Sequence, residues 1–282
     1  MTTLQAVHDD AIDLEEHEAE PGFLSRFYKT HERTLLGTIA VLVFLAAWQW
    51  AGTSGLVSPL FISAPSRIWR AFVLLAKSGE LAKHVIVSGQ EFLLGFALAI
   101  LIGIPLGILM GWYRRLDALL DPFMNAFYAT PRIALLPLII IWLGIGINSK
   151  IAIVFLGAVF AVLISTISGI RNLDETLLGA ARSFGASDLQ IFRTVALPGS
   201  VPFIISGIRL GLGHALIGVV VGELYGSTAG IGYLISLSSN NFQTDRVFVG
   251  VAIVAGAGIF FTIVFRRIEA HFQSWRPQRQ FN

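Results

Sequence analysis

Five ionisable side chains, Glu91, Arg132, Arg209, His214 and Glu223, fall inside or at the edges of long apolar runs. Charge is costly in hydrocarbon, so such groups are the first candidates for function. The chemistry they offer is recognition and passage of a polar solute: an arginine complements an anion, and a carboxylate or an imidazole can gate or bind. Catalysis has no comparable support, because an enzyme needs convergent nucleophiles, bases or metal ligands. The chain has no cysteine, which removes disulfides, thiolate metal sites and cysteine nucleophiles together. Its histidines (His8, His17, His31, His84, His214 and His271) are scattered, with no pair at ligand spacing inside an apolar run. No metal, no cofactor and no catalytic residue is expected. A Gly-x-x-x-x-Gly-Lys-Ser/Thr loop for nucleotide phosphates is also missing.

Each of the five has an ordinary alternative. Arg132, read as lying near the inner end of a span, can snorkel to headgroups. Glu91, near the outer end of another, can simply be wet. Arg209 sits about seven residues into its span, too deep to snorkel easily, and either pairs inside the bundle or lines a cavity. His214, near mid-span, can be a buried, hydrogen-bonded histidine. Glu223 falls at the outer end of its span beside Gly226, Gly230 and Gly232, a mouth that suits a gate or a receptor contact.

The elements that must position these groups are membrane spans. Of 282 residues, 55% are hydrophobic and 13% charged, with a mean hydropathy of +0.72. A soluble domain carries about 25% charge. Six segments are long enough to cross roughly 30 Å of hydrocarbon, which takes about 20 helical residues: 35–52, 85–112, 122–143, 151–170, 202–222 and 247–265. Short alternating barrel strands are not seen. The fold class is all-α, a polytopic membrane protein with about six transmembrane helices. Pro131 and Pro137 break the third span near its inner end, and discontinuous helices often border a transport pathway.

Basic residues set the orientation. With the N-terminus inside, twelve Lys and Arg fall on the inner side, six on the outer side (Arg67, Arg70, Lys77, Lys83, Lys150 and Arg246), and Arg132 and Arg209 in spans. Both termini are therefore expected in the cytoplasm. Residues 8–20 hold seven acids, unlike a secretion signal, and 1–30 are read as a disordered acidic tail. The transmembrane domain is taken as 31–270 and a C-terminal cytoplasmic tail as 271–282. The net charge of +2 gives no argument for nucleic acid.

Two loops are more than connectors. The outer stretch 63–79 reads as an amphipathic helix, either at the membrane surface or packed on the ends of the bundle. The inner loop, 171–201, is longer than a connection needs. Asp174 can cap a helix over 175–184, with Gly185 at its end. Ser187 and Gln190 form a capping-box signature for a second helix over 188–196, with Leu189, Phe192 and Val195 along one side. Pro198 is expected to stop it. Such short amphipathic helices need a surface to dock on. The helix ends of the same chain and a soluble partner both qualify.

The run Gly179, Ala180, Ala181, three residues, Gly185, nine residues, then Val195, Ala196, Leu197 and Pro198 resembles the "EAA" loop of bacterial ABC importer permeases. That pattern is Glu-Ala-Ala, three residues, Gly, nine residues, Ile-x-Leu-Pro. Gly179 replaces the Glu, which removes one polar contact, and Val195 replaces the Ile. The segments 131–137, 141–146, 149–150, 207–213, 222–224 and 230–235 are similar to the nitrate/sulfonate/taurine/bicarbonate branch of the binding-protein-dependent transport family. The resemblance covers roughly residues 35–270.

The resemblance implies a type I (MetI-like) importer permease in the bacterial inner membrane, a homodimer surrounded by lipid. Its partners would be cytoplasmic ABC ATPases and a periplasmic or lipoprotein solute-binding protein. The second loop helix would be the coupling helix, with Gly179, Ala180, Ala181, Gly185, Leu189, Phe192, Leu197 and Pro198 carrying the ATPase contact. The solute would be a small anion, with Arg209 as its complement and His214, Glu223 and Pro131 as further pathway or gate residues. The competing reading, an ion-gradient-driven secondary transporter, usually brings an inverted repeat, and none is convincing between the two halves.

Overall fold

The computed structural model describes residues 23–272, with side chains described from 32 to 269. The expected tails over 1–22 and 273–282 lie outside the described residues. The elements in order are α1 (Phe23–Thr53), α2 (Pro65–Lys77), α3 (Glu80–Trp112), α4 (Arg114–Ala129), a 3-10 turn (Arg132–Leu135), α5 (Leu136–Leu143), α6 (Ile147–Arg171), α7 (Glu175–Ser183), α8 (Asp188–Ile191), α9 (Leu197–Gly226), α10 (Ile231–Asn240) and α11 (Thr244–Phe272). Helix α1 thus begins inside the stretch read as a disordered tail. Among the described residues, five helices are long and apolar enough to cross a membrane. Helix α4 together with Arg132–Leu143, bent by 88° at the break, is long and apolar enough for a sixth. Helices keep every backbone hydrogen bond within the segment, as hydrocarbon requires.

The core is α3, α6 and α9. Lipid supplies no hydrophobic drive between helices, so close packing must. Helix α3 presents Gly95, Ala99, Gly103, Gly107 and Gly111 at steps of four, one stripe down one face. A Cβ on Gly95 would lie 2.6 Å from Val154 Cβ and 2.8 Å from the Ile151 carbonyl oxygen. On Gly107 it would lie 2.7 Å from Thr166 Cβ. Helix α9 meets α6 in the same way: a Cβ on Gly207 would lie 2.6 Å from Ser165 Cβ. Phe92, Phe96, Val154, Phe160, Leu212 and Val219 fill the space around these contacts.

Helices α1 and α11 are peripheral. Helix α1 is held near its C-terminal end, where Trp48 Nε1 donates to the Ser63 carbonyl oxygen (2.8 Å) and Gln49 Nε2 donates to Ser66 Oγ (2.9 Å). Helix α2 buries Leu75 against Leu81, Ile231, Leu234 and Val249, so its apolar stripe packs on the ends of α3, α10 and α11.

Three expectations change. The break in the third span lies at mid-bundle, beside Gly157 of α6 and His214 and Gly218 of α9, rather than near its inner end. Lys150, counted as a loop base, sits in α6 and is 1% exposed. Pro198 does not stop a helix. Asp188–Gly226 runs as one helical rod, and a π-turn over Phe192–Ala196 takes up the proline. There the Leu197 N–H bonds the Phe192 carbonyl oxygen, five residues back. The wider turn gives the Pro198 ring room that a regular α-turn denies it.

Candidate functional site

The broken span opens a cavity of about 330 Å³ between α4, the 3-10 turn, α6 and α9. Tyr128, Thr130, Pro131, Arg132 and Ile133 line it from the break, Ile153 and Gly157 from α6, and His214, Ile217, Gly218 and Val221 from α9. Pro131 opens the turn: it precedes the 3-10 segment, and its carbonyl oxygen accepts from the Ala134 N–H at 2.9 Å. Arg132 does not snorkel. Its Nη1 donates to the Gly157 carbonyl oxygen at 3.0 Å, and its guanidinium carbon lies 5.4 Å from the Phe160 ring centre and 5.7 Å from that of Tyr128. His214 is exposed to this cavity and so departs from the buried, bonded alternative.

Of the four expected pathway residues, Pro131 and His214 meet here, and the other two do not. Arg209 lies elsewhere on α9, where Nη1 bonds Glu269 Oε2 of α11 at 2.8 Å. Glu223 is no open mouth: it is 1% exposed. Its Oε1 accepts from Ser88 Oγ and its Oε2 from the Gly232 N–H, both at 2.5 Å. The Ile231 N–H donates to Ser88 Oγ (2.7 Å), and the Gly230 N–H donates to His84 Nδ1 (3.0 Å). Three successive N–H groups at the start of α10, which a helix leaves without internal partners, are thus capped by side chains of α3 and α9. A carboxylate there also matches the positive end of the helix dipole. The crowding explains the glycines: a Cβ on Gly230 would overlap the Glu223 carboxyl group, and one on Gly232 would lie 2.6 Å from the Val220 carbonyl oxygen.

This capped cluster is what sequence reading missed. Glu91 is buried beside Glu223 rather than wet. Lys150 lies close enough to feel the charge of both carboxyl groups, and it donates from Nζ to the carbonyl oxygens of Ile145 and Gly226. The available signal was a lysine in the first turn of an apolar run, just after Gly144 and Gly146.

At the far end of the bundle, the caps of the long loop form as their spacing predicts. Asp174 Oδ1 accepts from the Thr176 N–H (2.8 Å), and Ser187 and Gln190 bond reciprocally. Gly185 turns the chain at φ +75°. The apolar stripe is displaced, however. Ile191 is 1% exposed and anchors the loop, and Phe192 packs on Trp112 with ring centres 5.1 Å apart. Phe184 (91%) and Leu189 (57%) stand in the open. A Cβ on Gly179 would meet nothing within 4 Å, so space is not what keeps a glutamate from that position.

Residues 103–274 match the family described as "Binding-protein-dependent transport system inner membrane component". The chain is 38% identical over 240 residues to the putative aliphatic sulfonates transport permease protein SsuC of Bacillus subtilis (strain 168), covering 85% of this chain and 87% of that one. It is 32% identical over 250 residues to the taurine transport system permease protein TauC of Escherichia coli (strain K12), covering 87% and 90%. The inward-facing MetNI methionine ABC transporter shares the fold, with a TM-score of 0.62 at 19% identity over 68% of this chain and 96% of that one. These matches make the chain a transport permease, a non-catalytic subunit, and it belongs to the inner-membrane component family of binding-protein-dependent ABC transport systems.

Proposed function

We propose that this permease works as a homodimer in the bacterial inner membrane, with both termini cytoplasmic, and imports a small anionic solute. A periplasmic or lipoprotein solute-binding protein delivers the solute, and cytoplasmic ABC ATPases drive its passage. The observation that carries this reading is the pairing of a buried anchor with an open apolar face on α7 and α8. Ile191 and the Phe192–Trp112 contact fix the loop to the bundle, while Leu177, Phe184 and Leu189 project from it. Short amphipathic helices with an open face need a docking partner, and an ATPase groove is that partner here. Gly179, Ala180 and Ala181 keep the first loop helix slim for close approach, Gly185 makes the turn, and Leu197 and Pro198 join the loop to α9.

The solute path runs past the cavity at the broken span, beside Pro131 and His214. The anionic class is supported by the sulfonate and taurine permeases to which the chain is similar. Arg209 and Glu223 act as internal ties, because both already have partners within the chain.

Co-purification tests the coupling face. Tagged permease carrying Phe184→Asp with Leu189→Asp should insert and stay folded, since both side chains are exposed, but should lose the ATPase subunit. Retention of the ATPase by this variant would remove the α7–α8 face from the coupling site.

A further inference from the structure

We propose that Arg132 is the residue that makes the pathway selective for anions; this rests on the anion-import reading above. Its placement is unusual for a charge. It stands at the first turn after the 88° break, against the middles of α6 and α9 rather than at a bundle end. Irregular backbone is tolerated at such depth where it lines a cavity, and here it carries a guanidinium into one.

The charge is held without being neutralised. Arg67, Arg171, Arg209 and Arg246 each lie within 4.0 Å of a carboxylate oxygen. Among the described residues, Arg132 has instead one backbone carbonyl and two aromatic rings, and no Asp or Glu lines its cavity. A guanidinium has five N–H donors in a rigid fork, and the Gly157 carbonyl oxygen takes only one direction of that fork. The two rings hold the guanidinium by cation–π attraction, which uses none of its N–H donors. A permanent cation without a carboxylate at mid-membrane is expensive. A passing anion supplies the missing counter-charge, and two oxygens of an oxyanion fit the fork side by side. His214, exposed on the opposing helix, offers a further polar contact, and Ile133, Ile153 and Ile217 give apolar walls.

The competing role is mechanical: Arg132 would only pin the break to α6. The test uses the complete transporter in liposomes, with its ATPase and binding protein, and probes ethanesulfonate, taurine and nitrate. Arg132→Gln should assemble, keep its thermal midpoint and keep ATPase stimulation by loaded binding protein. It should lose uptake of the carried anion by about tenfold or more, as expected for one charge-assisted contact. Arg132→Lys, which keeps the charge but not the fork, should recover part of that uptake. Wild-type uptake by Arg132→Gln overturns the proposal. So does a loss of uptake that tracks a loss of thermal stability and is not relieved by Lys. Failure of the wild-type transporter to carry any of the three anions refutes the anion-import reading itself, a different result from failure of the variant.

Discussion

Arg209 Nη1 and Glu269 Oε2 lie 2.8 Å apart and join α9 to the peripheral helix α11. Helix α11 buries little of its surface, so a polar tie matters more to it than to the core helices. Arg209→Gln and Glu269→Gln should each lower the thermal midpoint of the detergent-solubilised protein. The cost is about 1–3 kcal/mol, that of taking one partner from a half-buried charged pair. The double variant should lose less than the sum of the singles, the sign of a direct contact. Uptake should fall only in step with the folded fraction. A stable Arg209→Gln variant with no transport would return Arg209 to the solute path.

Arg209 also shows where sequence reading stops. Its depth in an apolar run was legible, and so was the cost of leaving it there; the partner, sixty positions away on another span, was not, because periodicity carries no information on which helices meet. Caps behave differently. Asp174, Ser187 and Gln190 act within three residues of themselves, and their hydrogen bonds form as the spacing predicts. Pro198 misled for a related reason. Its local preference ends a helix, but the buried neighbours Ile191 and Ala196 hold the chain on course, and a π-turn absorbs the conflict. Glu223 looked like a mouth because glycines surround it, whereas Gly230 and Gly232 make room for its carboxylate. His214 fitted both a pathway and a core position in the sequence, and the mid-bundle break leaves it exposed in the cavity.

The glycine stripe on α3 should respond to position, not composition. Gly95→Ala places a methyl group 2.8 Å from the Ile151 carbonyl oxygen, which is backbone and cannot step aside. Helices α3 and α6 must then separate, at about 1–3 kcal/mol. A Cβ on Gly89, in the same helix, meets nothing within 4 Å. Gly89→Ala should therefore raise stability by about 0.4–1 kcal/mol through the unfolded chain. Thermal midpoints shifting in the same direction would contradict this account of the α3–α6 contact.

Glu223 should prove structural. Glu223→Ala leaves the Gly232 N–H and the Ser88 hydroxyl without their acceptor in a buried place, at about 1–3 kcal/mol for each group. Glu223→Gln keeps one acceptor oxygen and should fall between wild type and Ala in thermal midpoint. Amide exchange at Gly230, Ile231 and Gly232 should quicken in the same order. An Ala variant as stable and as protected as wild type would show that α10 needs no cap from α9.

Pro198 offers a test of coupling that alters no residue on the proposed docking face. The π-turn carries one residue more than an α-turn, and one residue of register turns a helix face by about 100°. On the α8 side of the turn Ile191 is buried and Leu189 is exposed. Pro198→Ala removes the ring and restores an N–H, so the regular α-ladder becomes available and the π-turn loses its cause. If the turn closes, Asp188–Ile191 rotates relative to α9, and the apolar face no longer meets the ATPase groove. The expected outcome is an inserted protein of unchanged helix content that co-purifies with less ATPase and supports less ATP-driven uptake. A spin-label pair on Ser187 and α3 should report the rotation directly. Should the variant couple like wild type while that distance changes, the α8 face is not what the ATPase reads. Should the distance stay the same, the π-turn is held by Ile191 and Ala196 rather than by the proline.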